Sequence, residues 1–200
     1  MTLILFCKIV VVFSCINYIL KKVMMKKAIF LDRDGVLNET IIKEKKITSP
    51  LKLVELKVFP DAKETLISFK ECGYLLIMVT NQPDIARNTN TKKNVEEINN
   101  FLKNYLKIDD IFVCYHDDKD FCNCRKPKPG MLIEASKKHN IDLSESFIIG
   151  DRWRDVEAGK NAKCKTIFID FKYQEKLKSK PDYTITNIAE AENIIKKFGK

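Results

Sequence analysis

Two carboxylates stand two residues apart directly after an apolar run, as Asp32 and Asp34 in the segment FLDRDG. Acidic side chains at the end of a hydrophobic strand cost free energy unless a cation compensates their charge. Thr80, Lys126 and Asp151 stand in polar segments further along the chain. Three aspartates offer the hard oxygen ligands that Mg²⁺ prefers, whereas a hydroxyl and an ammonium group suit a phosphoryl group. A carboxylate nucleophile among them would fit phosphoryl transfer through a covalent intermediate.

The segments between these residues alternate short apolar runs with amphipathic stretches, which predicts alternating strands and helices. The predicted strands are residues 28–31, 75–80, 111–115, 147–149, 166–169 and 183–185. The predicted helices are residues 60–71, 92–106, 129–140 and a stretch through Val156 and Ala158. Continuous apolar strands between amphipathic helices indicate an α/β fold with a parallel sheet covered on both faces. Because sites in such sheets lie at the carboxyl ends of the strands, we expect the polar residues above to meet at one rim.

A cysteine-rich segment offers a second kind of metal site, with Cys114, His116, Cys122 and Cys124 inside eleven residues. Three thiolates and one imidazole make a complete tetrahedral ligand set for a structural Zn²⁺. Seven cysteines are an odd number, and the other four are scattered among apolar neighbours. This usage indicates the reducing cytoplasm and one zinc-bound loop rather than a disulfide framework. The zinc would fix the loop that leads into Lys126.

In combination, four segments resemble the motifs of the haloacid dehalogenase superfamily, namely FLDRDGVLN, VTNQ, CRKPKPG and GDRWRD. Over roughly residues 27–170 the chain is similar to its subclass IIIA, the group of histidinol phosphatases and D-glycero-D-manno-heptose 1,7-bisphosphate 7-phosphatases. The resemblance implies a three-layer Rossmann-like fold with a mostly parallel central sheet. It also implies a Mg²⁺-dependent phosphomonoester hydrolase. The cap is expected to be minimal, because residues 36–60 leave room for only a short flap.

The resemblance implies a role for each acidic residue. Asp32 attacks phosphorus and becomes an aspartyl-phosphate, while Asp34 protonates the leaving alkoxide and later activates water. Mg²⁺ is held by Asp32, by the backbone carbonyl of Asp34 and by Asp151. Asp155 either matches a second acidic position of the fourth motif or begins the following helix.

The same resemblance implies the contacts with the substrate. Thr80 and Lys126 stabilise the transferring phosphoryl group. Asn81 helps to hold the ester oxygen, and Gln82 is counted with it among the substrate-binding residues. Arg125 recognises the second anionic group of the substrate.

The expected substrate is a small phosphorylated sugar, with the 7-phosphate of D-glycero-D-manno-heptose 1,7-bisphosphate as the leading candidate. Histidinol phosphate and polynucleotide 3′ ends are alternative substrates, and a non-catalytic zinc-stabilised binding module is an alternative from another class. Arg152 and Arg154 either contact the substrate or lie on the surface. Tyr115 stands where the family usually has proline, so the loop that shapes the substrate mouth departs from the family pattern. The Lys-rich segment 172–180 is expected to be a solvated surface stretch.

The net charge of +9 is spread unevenly, because residues 1–25 contain three lysines and no acidic residue. The moderate basic excess of the remaining residues suits a small anionic substrate. A nucleic acid prefers a basic groove lined by aromatic side chains, and a chain with a single tryptophan gives no indication of such a groove. We therefore expect a monomeric enzyme without a nucleic-acid partner.

Residues 3–20 form a nearly continuous apolar run, broken by Lys8, Ser14 and Asn17. The run is just long enough to span a bilayer and would then keep the following lysines in the cytoplasm. Alternatively, translation begins at Met24 or Met25, or the run folds as an additional helix. The chain is thus expected to consist of an N-terminal extension, residues 1–25, and a phosphatase domain, residues 26–200. Membrane contact is expected only if the run is an anchor.

Overall fold

The computed structural model describes residues 25–43 and 46–199. The apolar run at residues 3–20 lies outside the described residues, so its three interpretations and the boundary at residue 25 stay predictions. Within the described part of the chain, no helix combines the length and the apolar composition that crossing a membrane requires.

A parallel sheet of six strands forms the middle layer. Its strands are β1 (Lys27–Leu31), β4 (Tyr74–Asn81), β5 (Asp110–Cys114), β6 (Phe147–Gly150), β7 (Lys165–Ile169) and β8 (Tyr183–Ile185). Their order across the sheet is β5-β4-β1-β6-β7-β8. Each neighbouring pair is parallel, with β1 in the centre between β4 and β6. The expected α/β fold with a mostly parallel sheet is confirmed, and every strand predicted from an apolar run is present.

Helices cover both faces of the sheet. They are α1 (Ala62–Glu71), α2 (Lys92–Leu106), α3 (Gly130–His139), α4 (Trp153–Ala162) and a short α5 (Ala191–Lys196) that the sequence did not suggest. Successive side chains of a strand point to opposite faces, and those of β1 enter two separate cores. Ile29 and Leu31 pack with residues of α1 and α2, whereas Ala28 and Phe30 pack with residues of α3 and α4. Burial on both faces explains why the central strands are apolar without alternation.

A capping residue in the sequence sets the start of α2. Thr91 begins the helix, because its side-chain oxygen accepts a hydrogen bond from the backbone N–H of Asn94 at 3.2 Å.

The helical spacing predicts that Phe101 shares the buried face of Val95 and Ile98, but Phe101 is exposed and stacks on Tyr105 instead. Phe101 is one position before the buried Leu102 and therefore lies beyond the edge of the core.

A small antiparallel hairpin, β2 (Ile41–Lys43) and β3 (Lys46–Thr48), rises from the segment between β1 and α1. This hairpin is the short flap expected from residues 36–60. Directly after it, the Ser49 hydroxyl donates a hydrogen bond to Oδ2 of Asp34 at 2.9 Å. The flap is thereby attached to the acidic segment that follows β1.

Candidate active site

The carboxyl ends of β1, β4 and β6 meet at one rim, because these three strands are neighbours in the sheet. A cavity of about 350 Å³ opens there, a volume in the usual range for small-molecule sites. Most of the site residues expected from the sequence line it, namely Asp32, Asp34, Asn81, Arg125, Lys126 and Asp151. Thr80 and Gln82 are buried beside the cavity and do not line it.

Three carboxylates converge at the floor of the cavity. Oxygen atoms of Asp32, Asp151 and Asp155 all lie within 4.8 Å of one another. Gly35 permits this approach, since its φ is +86° and a Cβ there would lie 2.1 Å from Oδ2 of Asp151. The side chain of Asp34 does not join the group.

The Asp151 carboxylate has the environment of a metal ligand. Both of its oxygens are buried, and among the described residues only the Tyr173 hydroxyl approaches them, without the geometry of a full hydrogen bond. Burial raises its pKa well above the ordinary value, and the charges of Asp32 and Asp155 raise it further. A hard divalent cation would relieve both the burial and the repulsion, so this oxygen donor set fits Mg²⁺.

Lys126 supplies the positive charge of the site. Its Nζ lies 2.9 Å from Oδ1 of Asp32 and 2.6 Å from Oδ1 of Asp155, and it donates to the Val79 carbonyl at 2.9 Å. Burial alone would lower the pKa of Lys126, but the charges of Asp155 and Asp32 raise it above its ordinary value. Burial and the charge of Asp155 raise the pKa of Asp32 to about 7, against the opposing effect of Lys126. Lys126 therefore stays charged beside the expected nucleophile.

Both interpretations of Asp155 describe real contacts. One carboxylate oxygen faces Lys126 in the cavity. The other, Oδ2, accepts a hydrogen bond from the backbone N–H of Arg152 at 3.1 Å, at the start of α4. The residue thus fixes the helix start and also belongs to the acidic group.

The Asp34 carboxylate accepts six hydrogen bonds from four side chains. Arg33 donates from Nε to both oxygens and from Nη2 to Oδ2, while Asn38, Ser49 and Gln82 each donate one hydrogen bond at 2.9–3.0 Å. Burial favours the protonated form of Asp34, but the charge and hydrogen bonds of Arg33 outweigh it and lower the pKa. Asp34 is therefore ionised in this arrangement.

The segment Thr80-Asn81-Gln82 positions its neighbours. The Asn81 amide exchanges two hydrogen bonds of 3.1 Å with the backbone of Lys126. Gln82, expected among the substrate contacts, donates instead to Oδ2 of Asp34 at 3.0 Å and to Oγ1 of Thr80 at 2.9 Å. The buried Gln82 therefore connects two other site residues behind the cavity wall.

The cysteine-rich loop gathers its four predicted ligands. The Cys124 Sγ lies 3.0 Å from that of Cys114, 3.4 Å from that of Cys122 and 3.3 Å from Nδ1 of His116. The Cys114 Sγ lies 3.6 Å from that of Cys122 and 3.7 Å from Nδ1 of His116. Ligands of a tetrahedral Zn²⁺ with bonds of about 2.3 Å are separated by about 3.8 Å. The donor set and its spacing fit a zinc ion.

Arginines line the mouth of the cavity, and each is paired with an acid. Arg125 and Arg154 both donate to the carboxylate of Asp118, at 2.9 and 3.0 Å. Arg152 forms two hydrogen bonds of 2.7 Å with Glu175. Arg152 and Arg154 therefore belong to the cavity wall rather than to the open surface.

Several of these residues were not expected from the sequence. The segment 172–180 is not simply solvated, because Glu175 pairs with Arg152 and Nζ of Lys178 lies 3.9 Å above the ring of Trp153. Arg33 and Ser49 were missed too, although Arg33 stands inside the first acidic motif. Ser49 contacts Asp34 from a segment 15 positions away, so spacing along the chain gave no signal for it, whereas Arg33 contacts the adjacent Asp34.

A comparison with protein-family models matches residues 12–169 to the haloacid dehalogenase-like hydrolases. The chain belongs to this family. Similar members include the D-glycero-beta-D-manno-heptose-1,7-bisphosphate 7-phosphatases of Helicobacter pylori and Pasteurella multocida. The first is 39% identical over 147 residues, which cover 70% of this chain and 80% of the relative. The second is 36% identical over 188 residues, which cover 86% and 98%.

A solved structure of the family shares the architecture. The D,D-heptose 1,7-bisphosphate phosphatase of B. bronchiseptica, complexed with magnesium and phosphate, superposes with a TM-score of 0.74 and 25% identity. The match covers 86% of this chain and 98% of the other. The resemblance to haloacid dehalogenases that the four motifs indicated is thereby confirmed.

Proposed function

We propose that this chain is a phosphoric monoester hydrolase that removes the 7-phosphate of D-glycero-D-manno-heptose 1,7-bisphosphate. The observation that carries the proposal is the buried group of Asp32, Lys126 and Asp151 at the floor of a cavity with arginines at its mouth. The Lys126 ammonium group at the floor and the arginines at the mouth are two separate sets of charged donors, which suits a sugar with two phosphates. Relatives that are 36–39% identical carry this activity in their names.

The chemistry would begin at Asp32. Its carboxylate oxygen attacks phosphorus, the bond from phosphorus to the sugar oxygen breaks, and an aspartyl-phosphate forms. Lys126 stays charged and offsets the repulsion between the nucleophile and the anionic phosphate. Water then attacks the phosphorus of the intermediate, which releases orthophosphate and restores Asp32.

Asp34 would act as the general acid and then as the general base. It gives a proton to the leaving alkoxide and takes one from the water in the second step. Asp34 is ionised in the free protein, because Arg33 and three other side chains donate to it. Binding of an anionic phosphate next to Asp34 raises its pKa and favours the protonated form that the first step needs.

Two metals fit the donor sets of the chain. Asp32, Asp151 and the backbone carbonyl of Asp34 would hold Mg²⁺, with Asp155 beside them, and the ion would supply charge neutralisation at the transferring phosphoryl group. Cys114, His116, Cys122 and Cys124 would hold a structural Zn²⁺ that fixes the loop before Arg125 and Lys126.

The alternatives expected from the sequence are less well supported by the site. Acids pair with each cavity-lining arginine, so the mouth is not the continuous basic groove that a polynucleotide prefers. A non-catalytic binding module would not need three buried carboxylates, Asp32, Asp151 and Asp155, gathered around the Lys126 ammonium group. The site favours a small doubly anionic substrate.

Phosphate release from a substrate panel tests the proposal. The panel contains heptose 1,7-bisphosphate, histidinol phosphate and a 3′-phosphorylated oligonucleotide, each with Mg²⁺. We expect the highest kcat/KM for the heptose bisphosphate and its loss in Asp32→Asn. Asp61→Asn is the matched control, because Asp61 is exposed at the start of α1. A higher kcat/KM for either other substrate would contradict the proposed specificity.

A further inference from the structure

Two arginines at the mouth of the cavity share a single carboxylate. Oδ1 of Asp118 accepts hydrogen bonds from Nε of Arg125 at 2.9 Å and from Nη1 of Arg154 at 3.0 Å. Oδ2 accepts from Nη2 of Arg154 at 3.0 Å. Arg154 and Asp118 thus form the bidentate contact that is typical of arginine with a bound carboxylate or phosphate.

This arginine pair lies directly beside Lys126 at the floor of the cavity. Arg125 precedes Lys126 in the chain, and Nη1 of Arg154 donates to the Lys126 carbonyl at 3.3 Å. Asp118 and both arginines line the same cavity as Asp32. An anionic group held by this pair would therefore lie within the same cavity as a phosphoryl group at Asp32.

The arginines are better fixed than the acid between them. The Arg125 side chain is 10% exposed, and it also donates to the His116 carbonyl at 3.3 Å. The Asp118 side chain is 57% exposed on a single short turn, Asp118–Asp120. An exposed carboxylate can be displaced at modest cost, whereas the buried arginine keeps its position.

We propose that Asp118 is a specificity-determining residue that occupies the Arg125–Arg154 pair in the free enzyme and yields it to the second anionic group of the substrate. The inference rests on the proposed function, since it concerns the second phosphate of a bisphosphate. A phosphate dianion carries more charge than a carboxylate and has three oxygens for the same donors. A substrate with one phosphate gains nothing from displacing Asp118.

Isothermal titration of Asp118→Asn tests the inference. An Asp32→Asn background prevents turnover, and the ligands are heptose 1,7-bisphosphate and heptose 7-phosphate in Mg²⁺ buffer. Loss of the competing charge should shift the ratio of the two Kd values about fivefold towards the bisphosphate, the factor that corresponds to an ion pair of about 1 kcal/mol. Adding Arg154→Gln should cancel the gain, because the pair that Asp118 vacates is then incomplete.

The control is Asp61→Asn in the same background, which removes one negative charge away from the cavity and should leave the ratio unchanged. A ratio that stays the same in Asp118→Asn, or that moves towards the monophosphate, would overturn the inference. Absence of any preference for the bisphosphate in the unsubstituted Asp118 background and in Asp118→Asn would also overturn it. A separate assay tests the proposed function, because its failure would appear as no phosphate release from heptose 1,7-bisphosphate by the wild-type chain.

Discussion

Asn81 and Lys126 are joined by two reciprocal hydrogen bonds, in which the Asn81 amide donates to the Lys126 carbonyl and accepts from the Lys126 N–H. Asn81, the last residue of β4, thereby aligns the backbone of the loop that follows Cys124. The same Lys126 then places its ammonium group between Asp32 and Asp155. The position of the Lys126 ammonium group, which we propose to be catalytic, thus depends on a side chain of β4.

We expect Asn81→Ala to lower kcat by about 10-fold to 100-fold, because a small displacement of Lys126 weakens its contact with the reacting group. Steady-state kinetics with Mg²⁺ and the heptose bisphosphate measure the effect. The matched control is Asn161→Ala, which removes the hydrogen bond that the Asn161 side chain donates to the Pro127 carbonyl, one residue after Lys126 in the same loop. An equal fall in kcat for both variants would show that Asn81 has no special role.

Arg33 is expected to be a main contributor to stability. Its side chain is fully buried, forms an ion pair with Asp34 at 2.9 Å and donates a hydrogen bond to the side-chain Oδ1 of Asn99 on α2 at 3.1 Å. Arg33→Met leaves Asp34 without its buried partner, which should lower the free energy of unfolding by about 3–5 kcal/mol. Urea denaturation measures the change, with Arg87→Met as the exposed control. A loss no larger than that of the control would contradict the expectation.

Zinc analysis of the purified protein should give about one equivalent per chain, as four ligands predict. Cys122→Ser removes one ligand and should lower both the zinc content and kcat/KM, because the loop before Arg125 loses its anchor. Cys72→Ser is the control, since Cys72 lies outside the cluster. Full zinc content in Cys122→Ser, or none in the wild type, would argue against the site.

The stability contributed by Asp110 should depend on pH. Burial favours its neutral form, but hydrogen bonds from Lys138, His139 and the Ile111 N–H outweigh burial and lower the pKa from 3.8 to about 2. A group with a lowered pKa stabilises the fold above its unfolded pKa, and the stabilisation is lost as the pH falls through the folded value. Asp110→Asn should therefore cost about 1–2 kcal/mol at pH 7, a range reduced for the exposure of Lys138, and about half of that at pH 3.

Chemical denaturation of the wild type and Asp110→Asn at the two pH values measures this difference. Asp61→Asn provides the comparison for an exposed aspartate. An effect of Asp110→Asn that is the same at both pH values would be inconsistent with an ionised Asp110 in the folded state.

The sheet and the rim could be predicted because their signals are local. Each strand around β1 is a continuous apolar run that ends at a polar residue, and parallel strands bring such ends together. The cluster of three cysteines and His116 could be predicted for the same reason, since all four residues fall within the segment 114–124.

The contacts that refine the site could not be predicted, because they join distant segments. Glu175 contacts Arg152, which is 23 positions away in the chain, and Gln82 contacts Asp34, which is 48 positions away. Whether Gln82 faces substrate or Asp34 depends on the packing of β4 against β1, which spacing along one strand does not reveal. Phe101 has the right spacing for a buried face, yet it lies just beyond the edge of the core.

The central claim is that Asp32 becomes phosphorylated during turnover. Borohydride reduces an aspartyl-phosphate to homoserine, so the enzyme is quenched with borohydride during turnover of the heptose bisphosphate with Mg²⁺, and its peptides are sequenced by mass spectrometry. We expect homoserine at position 32 in the wild type and none in Asp32→Asn. Homoserine at another aspartate, or turnover that leaves position 32 unmodified, would contradict it.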